Sequence, residues 1–271
     1  MFWNEDCVKG ASKIPSGSID LMIADPPYGI EGGELGKLYK RCNDFVLGGY
    51  IDVPAEEYDR FSREWIMEAE RVLRPGGSIY IVSGYTNLRH VLNALARSRL
   101  LEVNHVIWKF NFGMLTKLKY VSSHYHILYC VKPGRKPTFN TWCRFNEKER
   151  DAAANITMNY RDREDVWSIN REWNAEKTKN MNQLPTELLA KMIQYSSLEG
   201  DMVCDFFLGS FSTAKVAIGL NRKATGFELN KTAYDFQMER MKTISPGWLL
   251  PRLRKVPRLE DTWPFEEDDI A

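Results

Sequence analysis

The chain has 271 residues, of which 44% are hydrophobic, and carries 37 lysines and arginines against 36 aspartates and glutamates, a formal net charge of +1. That length can bury a full core and fits one α/β domain with an inserted or appended module, while the near-neutral balance excludes polyanion binding through overall charge, so that any such surface has to arise from local clustering. The five cysteines (Cys7, Cys42, Cys130, Cys143 and Cys204) are odd in number and lack Cys-x-x-Cys spacing, and no apolar run approaches the roughly 20 residues of a membrane span, which leads to the expectation of reduced thiols in a soluble, cytoplasmic protein.

In chain order, strands are expected over 1–4 and 19–24, the second being the apolar run Ile19-Asp20-Leu21-Met22-Ile23-Ala24. Asp25-Pro26-Pro27-Tyr28 follows it directly. Asp25 offers carboxylate oxygens, and Pro27 holds Pro26 extended, which turns the Pro26 carbonyl outward beside them. Two fixed acceptors suit the two N–H bonds of an exocyclic amine, and the Tyr28 ring can lie flat against a planar base. The plainer alternative is a rigid Pro-Pro turn that caps a strand. Residues 29–54, with six glycines and Lys37, Lys40 and Arg41, have the composition of a mobile basic loop.

A helix from Ala55 to Val72, a strand from Ser78 to Val82, a helix from about Asn87 to Ser98 and strands at 102–109 and 122–131 are expected next. His124 and His126 share one face of the last of these, without a third ligand at suitable spacing for a metal. Residues 134–182 mix Arg144, Arg150, Arg161, Arg163 and Arg171 with Trp142, Trp167 and Trp173, a pattern that suits phosphate and base contacts, although acidic residues nearly balance it.

The second half starts with a helix from Pro185 to Ser197. Met202–Phe207 then reads as a buried strand running into Leu208-Gly209-Ser210, with a helix from Ser212 to about Asn221 behind it. A strand, a glycine turn and a helix N-terminus bring backbone N–H groups and a positive dipole end up to an anionic group. The next strand, Lys223–Phe227, ends on Glu228, about 20 residues past the turn, where an acidic side chain meets ribose hydroxyls. Together these elements predict an α/β fold with a Rossmann-like, doubly wound, mostly parallel sheet, a terminal antiparallel strand and a small inserted recognition region.

With these motifs in this order, the chain resembles the β class of S-adenosylmethionine-dependent DNA amino-methyltransferases, which carry the catalytic tetrapeptide early, the glycine motif late and target recognition between them. The resemblance covers most of residues 2–243 and includes Asn4-Glu5-Asp6-Cys7, Leu73-Arg74-Pro75-Gly76-Gly77-Ser78 and Gly200-Asp201. It implies a catalytic half at 1–133, target recognition at 134–182, a cofactor half at 183–243 and a C-terminal extension at 244–271. Two stretches depart from the family. Phe211 stands where the glycine motif has its second glycine, so its side chain must point away or the loop must sit differently, and Asn180-Met181-Asn182-Gln183-Leu184-Pro185 keeps only Gln183 and Pro185 of the family's segment.

What the resemblance implies is transfer of a methyl group from S-adenosyl-L-methionine to the N6 amino group of adenine in double-stranded DNA, with the target base flipped out of the helix. Asp25, Pro26, Pro27 and Tyr28 would be catalytic. Asp6 and Cys7 would approach the cofactor's adenine and Glu228 its ribose; the loop at Phe207 to Ser210, with Gly209, would approach its methionine part, with Asn182 near the carboxylate; Asp25 and Asp205 complete the cofactor-binding set, and no metal takes part. The family also suggests a prokaryotic or phage-encoded protein, a companion restriction nuclease and a homodimer as open possibilities. Cytosine-N4 methylation, a catalytically silent DNA-binding or partner subunit, and a nucleotide-dependent oxidoreductase that would leave the tetrapeptide without a task are the alternatives.

Overall fold

The computed structural model describes residues 1–27, 52–111, 113, 115, 117, 120–151, 155–172 and 183–254. Its strands are β1 (Phe2–Trp3), β2 (Ile19–Ala24), β3 (Leu73–Ser83), β4 (Leu101–Lys109), β5 (His124–Val131), β6 (Arg150–Asp151), β7 (Ile156–Thr157), β8 (Val166–Ser168), β9 (Met202–Asp205) and β10 (Lys223–Phe227). The helices are α1 (Cys7–Gly10), α2 (Tyr58–Val72), α3 (Leu88–Leu95), α4 (Met158–Asp162), α5 (Thr186–Ser196), α6 (Ser212–Gly219) and α7 (Lys231–Met241). Eight strands form one sheet in the order β1-β10-β9-β2-β3-β5-β4-β8, and β6 pairs with β7 apart from it.

Helices on both faces explain why the central strands read as continuous apolar runs rather than alternating ones. In β2, Met22 and Ala24 enter the core under α1, α2 and α3, while Leu21 and Ile23 enter the core under α5 and α6. β3 divides in the same way, with Ile79 and Ile81 on the first face and Tyr80 and Val82 on the second. In α2, Tyr58, Ser62, Trp65, Ile66, Ala69 and Val72 are buried, the three- and four-residue spacing of one helical face. Lys132 closes the C-terminal end of that helix, its Nζ donating to the carbonyls of Glu70 at 2.6 Å and Leu73 at 2.7 Å.

Three features differ from the expectation. The antiparallel member is β5, and it is not terminal: it lies between β3 and β4, and β4 and β8 continue the sheet beyond it. β3 starts at Leu73 because the Gly76-Gly77 kink still pairs, Gly76 N–H donating to Lys132 at 2.8 Å and Lys132 N–H to Gly77 at 2.9 Å. Within 134–172, α4 and the short strands β6, β7 and β8 give the segment regular structure that its aperiodic sequence hides.

The site is positioned by a change of direction in the sheet. The chain leaves β2 towards β3 on one side, whereas it leaves β9 towards β10 on the other, so the crevice outside the C-terminal ends of β2 and β9 is a topological switch point. β2 and β9 pair in parallel through Leu21 with Val203 and Met22 with Cys204. Asp20 secures the junction: Oδ1 accepts from Arg74 Nε at 2.6 Å and Oδ2 from the Met202 N–H at 2.8 Å, which ties β2 to both neighbours. Replacing Asp20 by Ala removes a charged acceptor from two donors and is expected to lower the unfolding free energy by about 2 kcal/mol. Urea denaturation measures this, and a loss under about 0.5 kcal/mol, the usual range for an inert surface position, would contradict the role.

Candidate active site

A cavity of about 270 Å³ occupies the switch-point crevice. Asp25, Pro26 and Pro27 form one wall, Glu5, Asp6 and Cys7 another, and Asp205, Phe207, Gly209, Ser210 and Glu228 line the floor and the far side. All the expected site residues within the described part of the chain therefore meet in one cavity. Tyr28 and Asn182 lie outside the described residues, as do Lys37, Lys40, Arg41, Cys42 and Trp173.

The turn that follows β2 is held by a hydrogen bond from α2. Tyr58, 2% exposed at the start of α2, donates its hydroxyl to the Pro27 carbonyl at 2.7 Å. Its ring packs against Phe61, which itself lines the cavity. On the opposite wall, Asp6 caps α1 by accepting the Lys9 N–H at 3.0 Å, and this short helix places Cys7 at the cavity edge. Burial, with Asp6 beside it, holds the Cys7 thiol well above its usual range, so it is a neutral, weakly polar wall rather than a nucleophile.

The cavity floor carries two carboxylates. Asp205, at the end of β9, accepts the Phe207 N–H at 2.8 Å, and Glu228, after β10, accepts the N–H groups of Gly209 and Asn230, each at 2.7 Å. Glu228 thus fixes the glycine turn as well as facing the cavity. Burial pushes Asp205 from the ordinary value of 3.8 up to about 6, with the Thr213 hydroxyl and the Phe207 N–H opposing it and Glu228 adding to it; burial also raises Glu228. Gly226 allows the two strand ends to meet this closely, since a Cβ there would stand 2.0 Å from the Asp205 carbonyl oxygen.

Phe211 resolves the first departure from the family. Its backbone lies in the left-handed region at φ 59° and ψ 23°, the conformation that a glycine takes readily and other residues rarely. The ring turns away from the cavity and is fully buried against Phe2, at 5.2 Å between centroids, and Tyr234, at 6.1 Å. Leu208 and Ala214 complete this small third core. The backbone keeps a glycine's geometry while the side chain joins β1 to α7.

Several lining residues carry no sequence signal of their own. Val53, Phe61, Leu184 and Asn230 reach the cavity only through the fold, whereas Gln183 was marked by its family match. Three of the arginines read from the sequence as phosphate contacts have partners within the protein. Arg144 Nε donates to Asp162 at 2.9 Å, Tyr195 donates to the same carboxylate at 2.6 Å, and Lys191 lies 3.4 Å from it. Arg161 pairs with Asp151, and the Arg171 guanidinium lies 4.7 Å from the Phe110 ring centroid and 5.2 Å from that of Tyr125. His124 and His126 do share a face, and β4 adds His105 beside them. Among the described residues, no three histidine, cysteine or acidic side chains form a group that could hold a metal ion.

A family model described as DNA methylase matches residues 19–239. The chain belongs to the DNA methylase family. It is 29% identical over 269 residues to the Type II methyltransferase M.HinfI of Haemophilus influenzae, a similarity that covers 89% of this chain and 68% of that protein. The fold is similar to that of M1.HpyAVI in complex with SAM, with a TM-score of 0.62 and 19% identity over 89% of this chain and 98% of that one. It is equally similar to the PvuII DNA methyltransferase, described as cytosine-N4-specific, with a TM-score of 0.64 and 15% identity over 94% of this chain and 93% of that one.

Two expected outcomes follow from the site of this methylase. Phe211→Gly removes a buried ring, worth about 3–5 kcal/mol, and relieves about 1–2 kcal/mol of left-handed strain, so a net loss of about 2 kcal/mol in stability is expected, with ligand affinity of the cavity unchanged; tighter ligand binding in calorimetry would show that the ring obstructs the cavity. For Asp205, the native state keeps a proton that the unfolded chain releases near 3.8. Because the folded form binds more protons in that interval, stability relative to Asp205→Asn should fall as pH rises from about 4 to about 6 and then level off. Parallel melting curves of the two proteins across that window would refute the burial of an ionisable Asp205.

Proposed function

We propose that this methylase transfers a methyl group from S-adenosyl-L-methionine to the N6 amino group of adenine in double-stranded DNA, with the target base turned out of the helix. The observation that carries this reading is the single cavity in which Asp25, Pro26 and Pro27 face Asp205, Gly209 and Glu228, so the residues of the methyl acceptor and those of the methyl donor share one space. The likeness to a Type II methyltransferase supports action beside a companion restriction nuclease in a bacterial cytoplasm, and a homodimer belongs to the same proposal. No described helix is long and apolar enough to cross a membrane.

The donor set fits the cofactor. Bound S-adenosylmethionine supplies a methyl group on a positively charged sulfur. Two carboxylates, both raised by burial, make a floor that a cationic ligand stabilises, and ionisation of Asp205 is favoured once positive charge stands beside it. Glu228 has lone pairs left for hydroxyl donors after accepting one N–H on each oxygen. Phe227 and Leu229 supply apolar wall, with Asp6 and Cys7 opposite them.

At the acceptor end, an adenine amino nitrogen is a weak nucleophile because its lone pair is delocalised into the ring. Asp25 and the Pro26 carbonyl accept its two N–H bonds, which directs the lone pair outward and stabilises the positive charge that develops on nitrogen during direct transfer. Tyr28 stacks on the base. Tyr58 acts one step behind, fixing the Pro27 peptide so that these acceptors keep their positions. Cytosine-N4 transfer would use the same acceptors, and the fold likeness to a cytosine-N4 enzyme supports it as the second reading; Asp25, where that group more often has Ser, favours adenine.

Tritium transfer from labelled cofactor to unmethylated DNA, followed by nucleoside separation, tests the whole reading: label in N6-methyladenine is expected, label in N4-methylcytosine establishes the second reading, and no label overturns both. Asp25→Ala should lower the single-turnover rate by about 10²–10³-fold, the cost of removing one preorganised electrostatic partner. Cofactor affinity should change less than about threefold in this variant, and retention of most of the rate would remove Asp25 from the chemistry.

A further inference from the structure

β4 and β5 expose basic side chains on one sheet face. On the face that α2 and α3 cover elsewhere, β4 presents His105 and Lys109, both exposed, and β5 presents exposed His124 and half-buried His126. His105 Nε2 and His126 Nδ1 stand 2.8 Å apart, and the His124 ring centroid is 5.2 Å from that of His126. Lys109 is the direct cross-strand partner of His124. The Glu102 carboxylate lies 3.7 Å from His105 Nδ1, the ring nitrogen turned away from His126. Across from β3 the neighbour is the uncharged Ser83, opposite His126.

The register fixes where this cluster lies. Ala24 is opposite Ile81, and two residues further along β3 Ser83 is opposite His126. His126 therefore sits level with Pro26 and two strands away, roughly 10 Å at the ordinary strand spacing, while His105, level with Ala24 on β4, is three strands away. The first distance is less than the width of a B-DNA major groove, about 12 Å, so a duplex that delivers a base to Asp25 comes within reach of this cluster.

The cluster is also built to take up charge. In the neutral pair one facing nitrogen donates and the other accepts, so an added proton goes to an outer nitrogen and leaves the shared bond intact. On His105 that outer nitrogen faces the Glu102 carboxylate at 3.7 Å. Burial, then the neighbouring His105 and His124, hold His126 below the usual imidazole range. With Lys109 beside them and a chain of net charge only +1, these groups supply the local clustering that the overall charge does not.

We propose that His105, His124, His126 and Lys109 form a second contact for the DNA backbone, binding phosphodiester oxygens beside the target base, and that proton uptake by the imidazoles strengthens this contact. The inference rests on the DNA methylase reading above.

Fluorescence anisotropy tests it with a labelled unmethylated duplex, a salt series at pH about 5 and about 8, the lower one set well under the ordinary imidazole value of about 6.5 because His126 is held beneath it, and a chelator present throughout. Wild-type protein should bind about tenfold more tightly at the lower pH, with the slope of log affinity against log salt steeper by about one, the signature of one more phosphate contact. The double variant His105→Gln, His126→Gln should lose both differences while keeping the wild-type melting temperature and cofactor affinity. If the variant retains the wild-type pH dependence and salt slope, the patch is not a phosphate contact. Absence of DNA binding at either pH, with cofactor binding intact in calorimetry, would overturn the DNA reading itself and this inference with it.

Discussion

The parallel pairing of β2 with β9 is the contact on which the molecule depends. It joins strands from opposite ends of the chain, the Asp20 carboxylate meeting the Met202 N–H across a separation of 182 residues. Neither half makes a site alone: β2 ends in Asp25 and β9 ends in Asp205, and only side by side do they flank a cavity. A contact so distant in sequence pays its loop-closure entropy before any local structure rewards it, which is the physical signature of slow, cooperative assembly. Both walls of the cavity therefore depend on this one pairing.

The central sheet was legible because its strands are buried on both faces. Ile19–Ala24, Met202–Asp205 and Lys223–Phe227 announce themselves by apolar runs ending in charged or turn residues, and the chemistry sits at those ends. What depends on register was not legible. His105 joins His126 only because β4 and β5 align Ile107 with His126, a fact that no spacing within either strand contains. Pairing within 134–172 was hidden for a related reason: composition shows charge but not partners, and Asp162 gathers Arg144 together with Lys191 and Tyr195 from α5, about 30 residues further along the chain.

Phe211 shows how a family pattern can be kept in geometry while it is lost in letters. The turn needs a left-handed residue, and the chain supplies one at a conformational cost, then offsets that cost by burying the ring between β1 and α7. The cavity side of the turn stays open, and the N–H of Gly209 still reaches Glu228. The same carboxylate holds Asn230, so one buried acid sets the shape of two loops that the cofactor site requires.

The hydrogen bond from Tyr58 to Pro27 joins residues 31 positions apart. One buried hydroxyl thus links the first turn of α2 to the end of the strand that carries Asp25. The packing of α2 against the sheet and the placing of the Pro27 carbonyl then form a single mechanical unit. A substitution deep in the core under α2, at Trp65 or Ile66, can reach the cavity through this link, although neither residue lines it.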